Sequence, residues 1–429
     1  MSGSENDACR LVLWQKVLVF LLRIAVGCVF ICSGFTKSID LWGGVYKIEE
    51  YLQVWGVAMP RTLVLAGAAL LCWTEFVAGV LVLLGCYRRV AVWVLTAFMA
   101  LMLPLTGYIW VADPVSDCGC FGDWLLLSNA ATFWKNVAIT AALIPLLLWN
   151  RRVPGLFVPY TQWIVGAWVS AFIIAIGIVG YTVNPLIDFR RFPVGTDLYA
   201  AANGLYDRSL EPVYEFIYKK DGVEKAFTED NLPDEAEGWE FVDRKLVSGS
   251  EDFNDGLTVF DSDDNDVSSE VITNQGSALL VVIPEVRRVN PGQTFLMNEL
   301  AERMRADGGE LVALLAKDDD GMEYWRDISM ANYPVYQVES TVLKELVRGN
   351  PGVVVLKDGR VRGKMTFSWL ERDTDGVLSE DIPDYDNWLW TLVSIELAGL
   401  FLLWIIDRAG LGVSLFVFHP RRYKNNKTN

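Results

Sequence analysis

Six apolar runs constrain the fold of this chain more than any other feature of its sequence. Each is about 20 residues long, the length that a helix needs to cross the hydrocarbon core of a bilayer. The runs are Lys16–Phe35, Thr62–Cys86, Val90–Val111, Thr132–Trp149, Trp163–Val183 and Trp388–Ile406. The first run contains Arg23 and is followed by no small-residue cleavage site, so we expect it to be a span rather than a signal peptide. The sequence therefore predicts an α-helical integral membrane protein.

Lysine and arginine clusters in the short connections predict the orientation of the spans. The clusters are Arg10 with Lys16, Arg88 with Arg89, Arg151 with Arg152, and Arg408 with the basic tail. With six spans they all fall on one side, and such clusters mark the cytoplasmic side. We therefore expect both termini in the cytoplasm and residues 185–386 on the outer side of the membrane.

The charges divide the chain into two bodies. The 429 residues are 52% hydrophobic, yet the formal net charge is −16. Residues 188–386 hold 42 acidic and 21 basic side chains, whereas the remainder holds 11 acidic and 16 basic ones. One body is thus an acidic, water-soluble domain and the other is a weakly basic membrane core. An acidic surface repels phosphate, which argues against binding to nucleic acid.

Histidine and cysteine usage narrows the chemistry. The single histidine, His419, excludes a Ser-His-Asp triad and a multi-histidine metal site. All seven cysteines lie in the membrane part of the sequence. They are Cys9, Cys28, Cys32, Cys72, Cys86, Cys118 and Cys120. Any thiol chemistry therefore belongs to the membrane core.

Two of these cysteines stand one residue apart in the connection between the third and fourth spans. A C-x-C pair in an oxidising compartment can form a small, strained ring, and Gly119 allows the tight backbone that the ring needs. We expect Asp117 and Asp123 to disfavour the thiolate by charge repulsion. The spacing alone leaves a redox pair, a static structural pair and part of a metal site open.

The segment that starts at Cys118 reads CGCFGDWLLLSNAATFWKN, and it resembles the signature of the DoxX/MauE group of redox-associated membrane proteins. Upstream, the SGFTK segment at residues 33–37 resembles the end of the group's first span, and Glu75 resembles the acidic position of the second. Downstream, residues 187–190 resemble the segment that leaves span five in the Bacteroidetes-type DoxX subgroup, whose members carry a large C-terminal extension. This resemblance implies a bacterial inner-membrane protein with residues 185–386 in the periplasm.

The resemblance implies a four-helix membrane core at residues 1–155, related in architecture to vitamin K epoxide reductase-like proteins. It also implies extracytoplasmic thiol–disulfide chemistry and makes a membrane quinone the candidate cofactor. The candidate catalytic residues are then Cys118 and Cys120. The candidate residues that support their loop are Asp117, Asp123, Lys135 and Asn136.

Four further residues inside the spans are candidates for an intramembrane role. Cys28 and Cys32 share one face of the first span, and they can relay electrons from the loop to a quinone or simply pack as small apolar residues. Arg23 and Glu75 are costly inside a bilayer unless they are paired or line a cavity. Glu75 is therefore interpreted either as a protonatable group beside a quinone or as the partner of Arg23.

The region after the fifth span, which is assigned to residues 156–186, has two predicted parts. Residues 187–275 predict a small β-rich subdomain. Residues 276–372 alternate strands and helices in an order that resembles the thioredoxin fold, with Pro351 at the place of that fold's cis-proline. A linker (373–386), the sixth span (387–407) and a basic cytoplasmic tail (408–429) complete the chain.

This thioredoxin-like region has no Cys-x-x-Cys where the fold carries its thiols, so we interpret it as a module that docks a partner. The first functional hypothesis is therefore a membrane thiol–disulfide oxidoreductase, or its accessory subunit, that acts on an extracytoplasmic or membrane protein. The alternative is a non-catalytic scaffold or assembly subunit of an envelope complex. A transporter is disfavoured because the sequence shows no inverted repeat.

Overall fold

The computed structural model describes residues 11–115, 118–125, 127–204, 213–220, 223–228, 232–233, 239–248, 256–318, 320–378 and 385–418. The chain forms two compact units. One consists of residues 1–189 and 381–429, and the other of residues 190–380. The first unit is helical, and the second combines helices with two β-sheets.

Seven helices form the first unit within the described residues. They are α1 (Leu13–Ile39), α2 (Leu41–Val54), α3 (Arg61–Leu84), α4 (Val90–Ala112), α5 (Asn129–Trp149), α6 (Gln162–Thr182) and α14 (Tyr385–Phe418). All except α2 are long and apolar enough to cross a membrane, the last of them over residues Asn387–Gly410. The six predicted spans are thereby confirmed, and the chain is a membrane protein in contact with the lipid bilayer.

Helices α1 and α3 approach each other backbone to backbone. A Cβ atom on Gly34 would lie 2.5 Å from the backbone nitrogen of Phe76, and one on Gly79 would lie 2.9 Å from the backbone nitrogen of Ile31. Small residues at such positions let two membrane helices pack closely. This packing brings the polar side chains of the two helices together.

Helix α2 was not predicted, because its 14 residues are too few to span a bilayer. Asp40 caps its first turn by accepting a hydrogen bond from the backbone of Gly43 at 3.0 Å. Its apolar face packs against α3 through Val45, which belongs to one buried cluster with Val64 and Ala68.

The second unit contains two sheets. The antiparallel sheet has the order β2-β1-β3, with β1 Val213–Lys220, β2 Val223–Thr228 and β3 Glu240–Ser248. The five-stranded sheet has the order β6-β5-β4-β7-β8, with β4 Ser277–Ile283, β5 Glu310–Ala316, β6 Val335–Val338, β7 Gly352–Lys357 and β8 Arg360–Thr366. Strands β4, β5 and β6 are parallel, whereas β7 and β8 are antiparallel. A mixed α/β domain is thus confirmed.

Helices connect the strands as the sequence pattern predicted. They are α9 (Gln293–Ala306), α10 (Gly321–Ser329) and α11 (Ser340–Leu346), with the short helices α7 (Leu198–Ala202), α8 (Ser268–Val271), α12 (Phe367–Leu370) and α13 (Thr374–Leu378). The Asn350–Pro351 peptide bond is cis. Phe192 and Leu257 are buried in one core with Leu280, so residues on both sides of the predicted limit at position 275 share that core. The predicted domain limits themselves stay predictions.

Candidate functional site

Cys118 and Cys120 lie side by side at the end of the bundle where α4 leads into α5. Their Sγ atoms are 3.1 Å apart, a hydrogen-bond distance that is well beyond the covalent length of about 2.0 Å in a disulfide. Both residues are free thiols and both are half-buried. The structure therefore brings together the two residues that the sequence predicted as a pair.

The two thiols differ in acidity. The pKa of Cys120 is lowered to about 6, chiefly by the hydrogen bond that Cys118 donates. Burial of the thiol opposes this shift, whereas the positive charges of Lys135 and Lys37 lower the pKa further. The pKa of Cys118 is raised, because its proton is held in that hydrogen bond and because the thiol is buried. The net shift at Cys120 is downward because the hydrogen bond and the two lysines outweigh desolvation and the charge of Glu75. The expectation that Asp117 and Asp123 disfavour the thiolate stays a prediction.

A buried polar cluster supports this loop from below. Lys37 Nζ lies 2.8 and 2.9 Å from the two carboxylate oxygens of Glu75, and 3.1 Å from Ser33 Oγ. The hydroxyl of Ser33 lies 2.8 Å from Glu75 Oε2 and 2.7 Å from the backbone oxygen of Cys120. The side chains of Lys37 and Glu75 are only 11% and 2% exposed. A buried ion pair thus joins α1 and α3 directly beneath the cysteine loop.

Other contacts fix the backbone of the loop. The hydroxyl of Tyr51, on α2, donates to the backbone oxygen of Cys118 at 3.2 Å. Gly119 has a φ of +65°, and a Cβ atom there would lie 2.9 Å from Lys47 Cγ. Asn129, at the start of α5, donates to Asp113 Oδ1 at 2.7 Å and to the backbone oxygen of Val115 at 2.9 Å.

The four predicted loop-support residues fare differently. Lys135 Nζ stacks over the Phe121 ring at 4.5 Å from its centroid, and its charge acts on Cys120. Asp123 lies in a short 3₁₀ turn, Gly122–Trp124. Asn136 is buried and donates to Thr106 Oγ1 at 3.2 Å, so it ties α5 to α4 rather than contacting the loop. Asp117 lies outside the described residues.

Arg23 lies at the opposite end of the bundle from the cysteine loop. It donates to Asn150 Oδ1 at 2.6 Å, and to the backbone oxygens of Val153 at 2.9 Å and Pro154 at 2.9 Å. Its role is therefore to satisfy carbonyl groups just beyond the end of α5. The alternative that Arg23 pairs with Glu75 is wrong, because Lys37 occupies that place.

The sequence also predicts a relay of electrons through Cys28 and Cys32 and a membrane quinone as cofactor. The side chains of Cys28 and Cys32 are both exposed on the outer surface of α1. A groove of about 330 Å³ runs between α3 and α6 and is lined mainly by apolar side chains, with Cys72 and Tyr181 among them. Its lining includes neither Cys118 nor Cys120, so it does not support a quinone site beside these two thiols. The relay through Cys28 and Cys32 stays a prediction.

Sequence reasoning from the residues did not single out Ser33, Lys37 and Tyr51 as site residues. Ser33 and Lys37 lie in the segment at residues 33–37 that carries the resemblance, and their spacing by four residues is the signal that they share a helix face. The sequence could not give the contact between Lys37 and Glu75, because Glu75 lies 38 residues after Lys37 in the chain.

Comparisons with known proteins agree with the membrane part of this description. Residues 15–150 match the family described as methylamine utilisation protein MauE, so this part of the chain is a MauE-family membrane domain. Residues 212–248, which span the three-stranded sheet, match a domain of unknown function, DUF8463. No curated protein and no solved structure matches the chain.

Proposed function

We propose that this membrane protein exchanges disulfides with a protein partner through Cys118 and Cys120. The observation that carries the proposal is the hydrogen-bonded pair of thiols 3.1 Å apart, in which Cys120 has the lower pKa. A thiolate is the nucleophile in disulfide exchange, and a neighbouring thiol can resolve the mixed disulfide that results. The match of residues 15–150 to the family described as methylamine utilisation protein MauE supports a role for this part of the chain in the membrane.

The exchange consists of two displacements. The Cys120 thiolate attacks one sulfur of a partner disulfide, which forms a mixed disulfide and releases the second partner sulfur as a thiolate. Cys118 then transfers its proton to that thiolate and attacks the sulfur of Cys120, which releases the first partner sulfur. The partner disulfide gains two electrons, and the Cys118–Cys120 pair loses two. The reverse sequence oxidises a partner dithiol.

The buried cluster has a positioning role in this proposal. The hydroxyl of Ser33 donates a hydrogen bond to the backbone oxygen of Cys120. Lys37 places a positive charge near the Cys120 thiolate, and the carboxylate of Glu75 pairs with Lys37. Because the helices that carry these residues are packed backbone to backbone, the loop is held on a rigid support.

The second unit is proposed to dock the partner. Its five-stranded sheet order supports a thioredoxin-like assignment, while residues 284–292 contain no cysteine. With the orientation that the basic clusters favour, this unit and the cysteine loop both lie on the periplasmic side of a bacterial inner membrane. The non-catalytic scaffold is the competing hypothesis, and it requires no reactivity from the two thiols.

Trapping in native membranes tests the proposal. Cys118→Ser removes the resolving thiol, so we expect a mixed disulfide between Cys120 and a partner to accumulate on non-reducing gels. Cys120→Ser removes the nucleophile and should trap little. Cys32→Ser is the matched control, because this exposed cysteine lies outside the pair. A folded Cys118→Ser protein that traps no more than the control would contradict the proposal and favour the scaffold.

A further inference from the structure

Four arginines line one cavity at the end of the bundle opposite the cysteine loop. The cavity has a volume of about 380 Å³ and lies between the start of α4 and the end of α5. The arginines are Arg88, Arg89, Arg151 and Arg152. The remaining lining residues are apolar, and none of the lining residues is acidic. Within the described residues, none of the four guanidinium groups forms an ion pair.

Hydrogen bonds hold the cavity in shape. Arg88 donates to the backbone oxygens of Arg151 at 2.9 Å and Val153 at 2.8 Å, and the amide of Asn150 donates to the backbone oxygen of Arg88 at 2.8 Å. Arg88 therefore has a structural task, whereas Arg89, Arg151 and Arg152 are exposed and available to a ligand. Such closely placed cations repel one another unless an anion lies between them.

We propose that this cavity binds the phosphate of an anionic phospholipid headgroup. Guanidinium groups bind phosphate oxygens in bidentate geometry, and basic pockets at the ends of membrane helices are suited to anionic headgroups. A lipid is favoured over a free anion because the cavity opens beside exposed apolar side chains. Trp93 is 63% exposed and Leu148 is 60% exposed, and both line the cavity. These side chains provide the surface on which the acyl chains lie.

Native mass spectrometry of the full-length chain in detergent tests the proposal. Titration with phosphatidylglycerol should give tighter binding than titration with zwitterionic phosphatidylcholine. The double variant Arg151→Gln/Arg152→Gln should weaken phosphatidylglycerol binding about 30-fold, from the contribution of each basic residue near an anionic lipid surface. Its binding of phosphatidylcholine should not change.

The matched control is Lys16→Gln/Arg408→Gln, which removes the same charge outside the cavity but at the same end of the bundle. Lys16 lies near Trp14, which contacts Trp149, and Arg408 donates to the backbone oxygen of Leu156. The control should retain phosphatidylglycerol affinity within threefold. An equal loss in both double variants would overturn the proposal, because binding would then depend on net charge alone.

Competition with the wild-type chain decides the question even if the cavity variant does not fold. Glycerol 3-phosphate, which carries the phosphate without acyl chains, should displace bound phosphatidylglycerol poorly. Displacement at equal concentrations would identify a site for a free anion and would overturn the lipid assignment. Equal affinity of the wild-type chain for phosphatidylglycerol and phosphatidylcholine would also overturn it.

Discussion

The hydrogen bond between the two thiols makes a testable statement about the acidity of Cys120. Cys118→Ala removes the donor and leaves Lys135 and Lys37 in place, so we expect the pKa of Cys120 to rise from about 6 toward the ordinary cysteine value. Cys118→Ser is the matched variant, because a hydroxyl can still donate a hydrogen bond. Its Cys120 pKa should lie between those of the wild type and Cys118→Ala.

The magnitude shows which observable to measure. With a pKa of about 6, roughly 90% of Cys120 is thiolate at pH 7, whereas at the ordinary value of about 8.5 roughly 3% is. The thiolate fraction thus falls about 30-fold. Each thiolate becomes more nucleophilic as its pKa rises, and a Brønsted slope of about 0.45 recovers roughly 13-fold. The net rate at pH 7 falls only about two- to threefold, so the midpoint of the pH profile is the sharper readout.

The assay is the pH profile of Cys120 alkylation by iodoacetamide, read at that site by peptide mass spectrometry in reduced membranes. In the wild type, alkylation should be lost as the pH falls through about 6, because the thiolate becomes protonated. In Cys118→Ala the midpoint should move up by about two pH units. A wild-type midpoint above pH 8, or a Cys118→Ala midpoint that stays near 6, would refute the reasoning.

Three further variants test the support of the site. Lys37→Met leaves the buried carboxylate of Glu75 unpaired and should lower the free energy of unfolding by about 3–5 kcal/mol. The double variant Lys37→Met/Glu75→Leu removes both charges and should lower it by less, and thermal melting in detergent measures both effects. Gly119→Ala should cost about 1–2 kcal/mol, because the φ of +65° disfavours a side chain; an unchanged melting temperature would contradict this. Arg23→Met should lower the melting temperature by leaving the carbonyls beyond Asn150 unsatisfied, yet keep the alkylation midpoint of Cys120; a shifted midpoint would show that the two ends are coupled.

The spans and the alternation of strands and helices along the chain could be predicted because they depend on local patterns. A run of 20 apolar residues has few alternatives in a bilayer, and alternating strands and helices in residues 276–372 leave a small choice of sheet orders. Helix α2 was not predicted because its 14 residues are fewer than the roughly 20 that a membrane span needs. It forms because its apolar face packs on α3, which is a tertiary effect.

The site was predictable only in its cysteines. The C-x-C spacing places two thiols together whatever the fold, so Cys118 and Cys120 could be identified directly. The partner of Glu75 depends on how α1 and α3 pack. Glycines such as Gly34 and Gly79 indicate close helix packing in the sequence, but they do not by themselves give the register between the two helices. The charges of Lys135 and Lys37 at Cys120 could not be predicted for the same reason, because they depend on distances across the fold.

The central claim is that Cys118 and Cys120 exchange electrons as a pair. A redox titration in native membranes tests it most directly, with thiols trapped by a mass-adding alkylating reagent after equilibration in dithiothreitol buffers of defined potential. We expect Cys118 and Cys120 to become resistant to alkylation together as the potential rises. The ratio of oxidised to reduced pair should change tenfold for about every 30 mV, the slope of a two-electron couple. Thiols that remain alkylated independently across all potentials would contradict it.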